Sequence, residues 1–420
     1  MIGTPPVAAP TGALDGVRVV ELASEHGAFA GKMLADLGAE VIVVEPAGGH
    51  PSRFFEPFVD DVPDLERSLW WWNYNTGKLS VTLDLHRAFD ADRFRTLVAS
   101  SDIVLEGETP GRLQGHGLDY EDFAAVKPSL VWVSITPYGR VGPRSHEPAT
   151  DLTILAGAGP AWSCGYDDHL LPPVRPGGNQ GYQTASIWAV EGAMVALYAS
   201  QTLGIGQHVD VSMHAASNVT TEAATYEWLV AQATVERQTF RHAAVRQTPP
   251  RLITAGDGGY VIVAPPRHVA EFRALVAWTV ELALTEQMDE FFFVEMGVER
   301  GGIVLSEVET DPIVAAIYQA GNDCLRLVAS QLPAKDFFVS AQKRGLPAGM
   351  LFAPEDVMED QHYKEHGFPV EIFHEDLDRS FLYPGAPFVA GASPWRTRRR
   401  APHLGEHTEM VFGPLEAQPQ

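Results

Sequence analysis

The chain has 420 residues, enough for two or three domains and a large core. Its 54 acidic and 30 basic side chains give a formal charge of -24, spread along the chain, which argues against nucleic acid and anionic membranes as partners. The two cysteines, Cys164 and Cys324, make neither a disulfide framework nor a metal-ligand set, so a reducing, cytoplasmic setting without a bound metal is expected.

In chain order, residues 1–13 are rich in Pro, Ala and Gly and read as a flexible N-terminus. They lack the basic and apolar regions of a signal peptide, and no apolar run long enough for a membrane span follows. VRVVEL (17–22) reads as a buried strand, SEHGAFAG (24–31) as a loop, and KMLADLG as a helix stopped by Gly38. EVIVVEP (40–46) is a second strand, so the unit is strand–loop–helix–strand and predicts a parallel α/β sheet. Further strands are predicted at 101–106, 130–136 and 208–213, the first two preceded by helix-like stretches. Residues 139–180 read as an extended loop region with a short helix at TDLTILAGAG. TASIWAVEGAMVALYASQTLG is apolar nearly all round and predicts a buried helix, and 215–235 also reads as helical. The stretch 236–350 combines a strand, GGYVIVAPP, with two long helices and reads as a second, smaller domain.

Taken by themselves, few motifs carry chemistry. SEHGAFAG ends at a helix N-terminus and suits a phosphate, although an ordinary strand–helix turn explains it as well. RTRRR (396–400), against a charge of -24, reads as a solvated strip rather than a nucleic-acid site. None of the fifteen histidines has metal-ligand spacing, and Ser212 and His214, placed on one strand, make no triad. WWWN (70–73) predicts at least two buried tryptophans. They wall either an aromatic acyl pocket, with Trp162, or a domain or subunit contact.

An ordered set of blocks carries more. LDGVRVVELA, MLADLGAEVIVVEPAGG, NTGKLSVTLDL, SDIVLEGETPGRLQGHGLDY, VSITPYGRVGP, ATDLTILAGAG, PPVRPGGNQ, GIGQHVDVSM and APHLGEHTEMVF run from about residue 14 to 412. In this set the chain resembles the family III CoA-transferases, the formyl-CoA transferase, carnitine CoA-transferase and α-methylacyl-CoA racemase group. The resemblance implies an α/β fold with a large Rossmann-like, CoA-binding domain built from both chain ends, 14–224 and 346–420. A small inserted α+β domain, 225–345, and an interlocked dimer complete it. It implies CoA or acyl-CoA and a carboxylic acid as substrates, and either a homodimer or a heteromer with a paralogous subunit.

Carried over residue by residue, the CoA site comprises Ser24, Glu25, His26 and Gly27, with Pro46 and Arg53 near the adenosine and phosphates. Asn75, Gly77 and Lys78 match the N-x-G-K motif, and Pro110 and Gly111 match the turn N-F-x-P-G, where this chain has Gly107 and Glu108 in place of Asn and the aromatic. Glu25 stands where Gln or a similar residue is usual, and beside phosphates it needs Arg53 or Lys78 to offset it.

The family's reaction runs through one aspartate, which forms a mixed anhydride and then an aspartyl-CoA thioester. In the matching stretch, Pro173-Val174-Arg175-Pro176-Gly177-Gly178-Asn179-Gln180, that residue is Asn179, whose amide cannot form an anhydride. Read without the family, Asn179 is a turn residue. Three explanations stand: a partner subunit supplies the Asp, the exchange was made to trap a complex, or another carboxylate serves. Asp151 is the candidate for the last, although N-capping of its own helix is its other role; Asp167, Asp168 and Glu191 are near it in sequence. A non-catalytic acyl-CoA-binding protein is the second reading. A racemase or isomerase is the third, and it lacks both members of its His/Asp pair, which fall on Thr150 and Asn179.

Overall fold

The computed structural model describes residues 12–166, 168, 170–221, 224, 226–235, 238–239 and 251–413, so residues 1–11 of the flexible stretch and Asp167 lie outside the described residues. The central element is a six-stranded parallel sheet. Its strands are β1 (Arg18–Leu22), β2 (Glu40–Glu45), β3 (Leu79–Thr82), β4 (Ile103–Glu106), β5 (Val131–Thr136) and β6 (His208–Ser212), in the spatial order β3-β2-β1-β4-β5-β6. Register runs Val19 to Val41 and Val19 to Ile103 on the two sides of β1. Alternate residues feed opposite layers: Val19, Val41 and Ile103 join one core cluster, and Val20, Ile42 and Val104 another. Burial on both faces is why β1, β2, β4 and β5 read as continuous apolar runs rather than alternating ones.

Helix α1 (Ala28–Asp36) links β1 to β2 and is stopped by Gly38 at φ +114°. Strand β3 lies inside NTGKLSVTLDL, where no strand was expected; its open edge is covered by the C-terminal segment. There the backbone N–H of Ser80 donates to His407 Nδ1 at 3.2 Å, that of Thr82 donates to Thr408 Oγ1 at 3.2 Å, and the His407 N–H donates to the Ser80 carbonyl at 2.9 Å. Such a cover removes an exposed sheet edge. α2 (Leu69–Asn75) carries the three tryptophans; Trp71 and Trp72 are buried and Trp70 is half-buried.

The long helix α3 (Gln180–Leu203) differs from expectation. Its inner face is a stripe of small residues, Ala185, Ser186, Ala189, Ala193 and Ala196, that lets it sit close to the sheet. Ile187, Trp188, Val195, Tyr198 and Leu203 are exposed on this chain, so the helix is not buried all round. Ser212 ends β6 and caps the short helix Met213–Asn218, its Oγ accepting from the Ala215 N–H at 3.3 Å, and His214 lies on that helix. The two therefore do not share a strand face.

The chain divides into two compact units, one formed by 1–164, 172–235 and 360–420, the other by 165–171 and 236–359. The second has a three-stranded antiparallel sheet, in the order Ala348–Leu351, Tyr260–Val263, Leu252–Thr254, packed with helices around Phe272, Trp278, Leu325 and Phe337.

A two-stranded hairpin in the first unit, β7 (Pro369–His374) and β8 (Arg379–Pro384), went unread in the sequence. Its His374 is buried, shares a 2.8 Å hydrogen bond with the Tyr383 hydroxyl and packs 4.0 Å from the Trp72 ring. Burial pushes its pKa down from 6.5 to about 4. The stability that the neutral ring contributes is present above pH 6.5 and is lost as pH falls through about 4. A His374→Phe variant is therefore expected to show a flatter dependence of Tm on pH between 6.5 and 4 than the unaltered chain, as read by thermal melts across that range.

Candidate functional site

Loops at the carboxyl ends of β1 to β4 enclose a cavity of about 600 Å3. Ser24, Glu25 and His26 enter it after β1, Pro46 and His50 after β2, His86 after β3, and Gly107, Glu108, Arg112 and His116 after β4. A doubly wound sheet of this strand order opens its ligand crevice at this edge, where connections leave β1 and β4 in opposite directions. Two glycines set the close approach of the loops. The N–H of Gly27 donates to Ser24 Oγ at 2.9 Å. A Cβ on Gly107 would stand 2.8 Å from the same Oγ, so the bare backbone at the position of the family's Asn lets the β1 and β4 loops meet.

The floor of the cavity carries little positive charge. Burial, with the neighbouring His50, pushes the His26 pKa down to about 4, and burial also lowers that of His50, so both rings are neutral at pH 7. Burial, reinforced by Asp151, raises that of Glu25 above the usual carboxylate range. Arg112 is the cation at the rim, paired with Glu108 at 2.8 Å.

Arg53 and Lys78 do not line this cavity. The Arg53 guanidinium is fully buried: it donates to both Glu45 oxygens at 2.7 and 2.8 Å, to Glu66 Oε2 at 2.8 Å and to the Pro402 carbonyl at 3.1 Å, with the Trp71 ring 3.9 Å below. The buried Lys78 ammonium is likewise saturated, by Glu21 at 2.8 Å, the Ala28 carbonyl at 2.9 Å and Asn75 Oδ1 at 2.9 Å. Neither is free to offset Glu25. Asn75 turns its amide back to the Trp71 carbonyl, and Gly77, at φ +79°, makes the bend that points Lys78 inward. The N-x-G-K stretch thus ties β1 and the start of α1 from beneath. Pro110 and Gly111 line a neighbouring cavity of about 390 Å3 with Arg140, His208 and Asp210.

Asn179 is the half-buried N-cap of α3, and its side chain makes no capping hydrogen bond. Asp151 takes that job from another helix. Its Oδ1 accepts from the Gly181 N–H at 2.7 Å and its Oδ2 from Arg175 Nη1 at 2.6 Å, while Arg175 also holds the Gly178 carbonyl at 3.2 Å. The cap of its own helix, Asp151–Ala158, is Thr150 rather than Asp151, as part of a reciprocal pair with Thr153. The β1 loop is fixed to the same turn of α3: the Ser186 hydroxyl donates to the His26 carbonyl at 3.1 Å, and the His26 ring meets Tyr182 edge-on at 4.9 Å. Gln183 donates to the Tyr74 hydroxyl at 2.7 Å, which joins α2 to it.

This arrangement predicts that Asp151→Ala costs about 1–2 kcal/mol, the loss of a helix cap, and frays the first turn of α3. Faster hydrogen exchange at residues 180–184 is the measurement; unchanged exchange would show that Asp151 does not hold the turn.

The structure therefore groups Ser24, Glu25, His26 and Pro46 on one cavity, with Gly27 behind them. Arg53, Asn75, Gly77 and Lys78 form its buried support. Asn179 and Asp151 lie together at the start of α3, which the His26 contacts join to the cavity loop. Sequence reading missed His50, His86, Arg112 and His116. The available signal was their position just past the carboxyl end of a strand. Among the described residues, no group of three or more His, Cys, Asp or Glu could hold a metal ion, and no helix is long and apolar enough to cross a membrane.

Residues 14–408 match the family model CoA-transferase family III. The chain is 31% identical over 405 residues to succinyl-CoA:(R)-benzylsuccinate CoA-transferase subunit BbsE of Thauera aromatica, covering 94% of this chain and 92% of that protein. It is 26% identical over 405 residues to the succinyl-CoA–L-malate CoA-transferase beta subunit of Chloroflexus aurantiacus, covering 95% and 93%. Among solved structures, a CAIB/BAIF family protein from Brucella suis matches with a TM-score of 0.77 at 26% identity, over 96% of this chain and 98% of that one.

Proposed function

The chain belongs to CoA-transferase family III, and from that premise we propose that it serves CoA transfer between an acyl-CoA thioester and a carboxylic acid as the subunit of a heteromer that lacks the nucleophilic aspartate. The observation that carries the reading is Asn179 in an intact frame. Asp151, Arg175, Gly181 and the His26 contacts hold the turn in place, yet the residue at the position of the family's nucleophile is an amide, and the neighbouring Asp151 carboxylate is taken up by the Gly181 N–H and Arg175. Two similar proteins bear the word subunit in their names, which fits a paired enzyme.

In this reading the cavity at the strand ends takes the CoA moiety against Ser24, Glu25, His26, Gly27 and Pro46. Arg53, Asn75, Gly77 and Lys78 keep those loops in register, and Pro110 and Gly111 shape the turn after β4. The unit of 14–164, 172–235 and 360–420 serves as the CoA-binding domain and that of 165–171 and 236–359 as the small domain, and an interlocked dimer with a paralogous, aspartate-bearing subunit works in the cytoplasm. That partner's carboxylate attacks the donor acyl-CoA carbonyl and releases CoA thiolate. The thiolate then displaces the donor acid to give the aspartyl-CoA thioester, and the acceptor acid removes the CoA through the reverse steps.

Titration calorimetry with CoA and intact-protein mass spectrometry after mixing with acyl-CoA donors test this together. The chain alone is expected to bind CoA and to gain no covalent adduct, with turnover and an adduct on the partner once an aspartate-bearing paralogue is added. A CoA-sized adduct on this chain would identify another carboxylate as nucleophile. CoA binding without turnover in any pairing would favour the binding-protein reading, and absence of CoA binding would remove the transferase site.

A further inference from the structure

The RTRRR run builds a cavity of its own. It lies at the amino-terminal edge of the sheet, opposite the cavity at the strand ends, and has a volume of about 850 Å3. Its wall includes Arg18 at the start of β1, Arg398 and Arg399 from the C-terminal segment, and the backbone of Gly38 and Gly77. The arginines are not equally engaged. Arg18 pairs with Glu40 at 2.5 Å and donates to Ser100 Oγ at 3.2 Å. Arg400, next in sequence but outside this cavity, is held by Glu375 at 3.3 Å and Glu406 at 3.0 Å. Among the described residues the Arg399 side chain donates only to the Gly77 carbonyl, at 3.1 and 3.3 Å, while the Gly77 N–H donates back to the Arg399 carbonyl at 3.1 Å. Arg398 has no carboxylate within ion-pair distance among the described residues. It lies over Gly38, where an added Cβ would stand 3.2 Å from its Nη2.

Three carboxylates also line the wall. Glu40 is matched by Arg18, Asp102 Oδ2 accepts the Arg18 N–H at 2.8 Å, and Asp15 is exposed. Both arginines also border a neighbouring cavity of about 370 Å3 that Glu375 and Glu406 line, yet among the described residues neither guanidinium has a carboxylate within ion-pair distance, in a chain whose net charge is -24. From this geometry we infer that Arg398 and Arg399 form a second anion site, for a small phosphate-bearing ligand, distinct from the CoA cavity. Guanidinium forks match phosphate oxygens two at a time, and the volume suits a small metabolite. Burial lowers the Arg399 pKa, an effect that the charges of Glu406 and Glu40 oppose and those of Arg398 and Arg400 reinforce. The site also touches the machinery beneath the other cavity, since Gly77 precedes Lys78, which grips Glu21 and the Ala28 carbonyl. Occupancy is therefore expected to change CoA affinity, and by linkage CoA changes the affinity of the second site by the same factor.

Isothermal titration of the full chain with inorganic pyrophosphate tests the site. One equivalent is expected to bind, more weakly as salt rises, and to remain bound when CoA saturates the other cavity. Arg398→Ala is the decisive variant because its guanidinium makes no hydrogen bond or ion pair among the described residues: its Tm should stay unchanged while pyrophosphate affinity falls about tenfold, the worth of one charged hydrogen-bond pair. Arg398→Ala/Arg399→Ala should lose about a hundredfold. Absence of binding to the unaltered chain, unchanged affinity in Arg398→Ala, or displacement of pyrophosphate by CoA in direct competition would each overturn the second site. The last result would place the phosphate in the CoA cavity and leave the functional proposal standing.

Discussion

An Asn179→Asp variant of this chain alone is expected to gain a CoA-sized covalent adduct on mixing with an acyl-CoA donor, and to turn over where the unaltered chain does not. The exchange alters almost no volume, so the turn and its supports persist. The new carboxylate would stand at the N-terminus of a helix of 24 residues, whose partial positive charge favours its ionised form. Arg175, 2.6 Å from Asp151, offsets the repulsion between the two carboxylates. Removal of a nucleophile from an otherwise complete site typically costs several powers of ten in rate, so its restoration should raise transferase activity on the order of 10³-fold or more. Intact mass and peptide mapping read the result. An adduct at residue 179 supports the subunit reading; a variant that binds CoA yet stays unmodified would mean that the acyl carbonyl is not delivered to this turn.

The largest stability loss is expected at Arg53. Its guanidinium and the Glu45 carboxylate are both fully buried, and Glu45 also accepts from the Ser80 hydroxyl at 2.7 Å. Arg53→Ala leaves Glu45 without its cation in the interior, which costs about 3–5 kcal/mol. Because the same guanidinium reaches Glu66 and the Pro402 carbonyl, it joins the segment after β2 to the C-terminal segment, and the loss should spread across the first unit. A fall in Tm on the order of 10 °C is the expected reading. Arg53→Met/Glu45→Met should recover much of it, because a buried ion pair replaced on both sides leaves no orphan charge. If Arg53→Ala melts like the unaltered chain, the network does not bear on stability. If it loses CoA affinity with no change in Tm, Arg53 contacts ligand rather than frame.

Legibility in the sequence divided along a physical line. The strands at 17–22, 40–46, 101–106 and 130–136 were readable because both faces are buried and each is a run of β-branched and other apolar residues ending at a turn, whereas 208–213 is an edge strand whose Asp210 is exposed. Strand β3 was not, since LSVT mixes polar residues into an edge position that a distant segment covers. The hairpin 369–384 was hidden for a similar reason: its burial depends on Trp72, more than 290 residues earlier in the chain. The face that α3 exposes was also unreadable, because an all-apolar pattern does not say which side meets the sheet.

For the site, the order of blocks placed Asn179, Asp151 and the loop 24–27 in one protein family before any coordinates. The roles were set by packing. Arg53 and Lys78 are cations in the sequence, and only the fold shows that Glu45, Glu66 and Glu21 consume their donors. Asp151 is the first residue of a helix in the sequence, and only the fold shows that it caps a different helix. The sequence by itself determined the parallel α/β sheet, the family and the missing carboxylate at position 179, since these depend on local pattern and on residue identity. Tertiary structure alone decided which charges are free to meet a ligand, because a charge is available only where no partner distant in sequence has been folded against it.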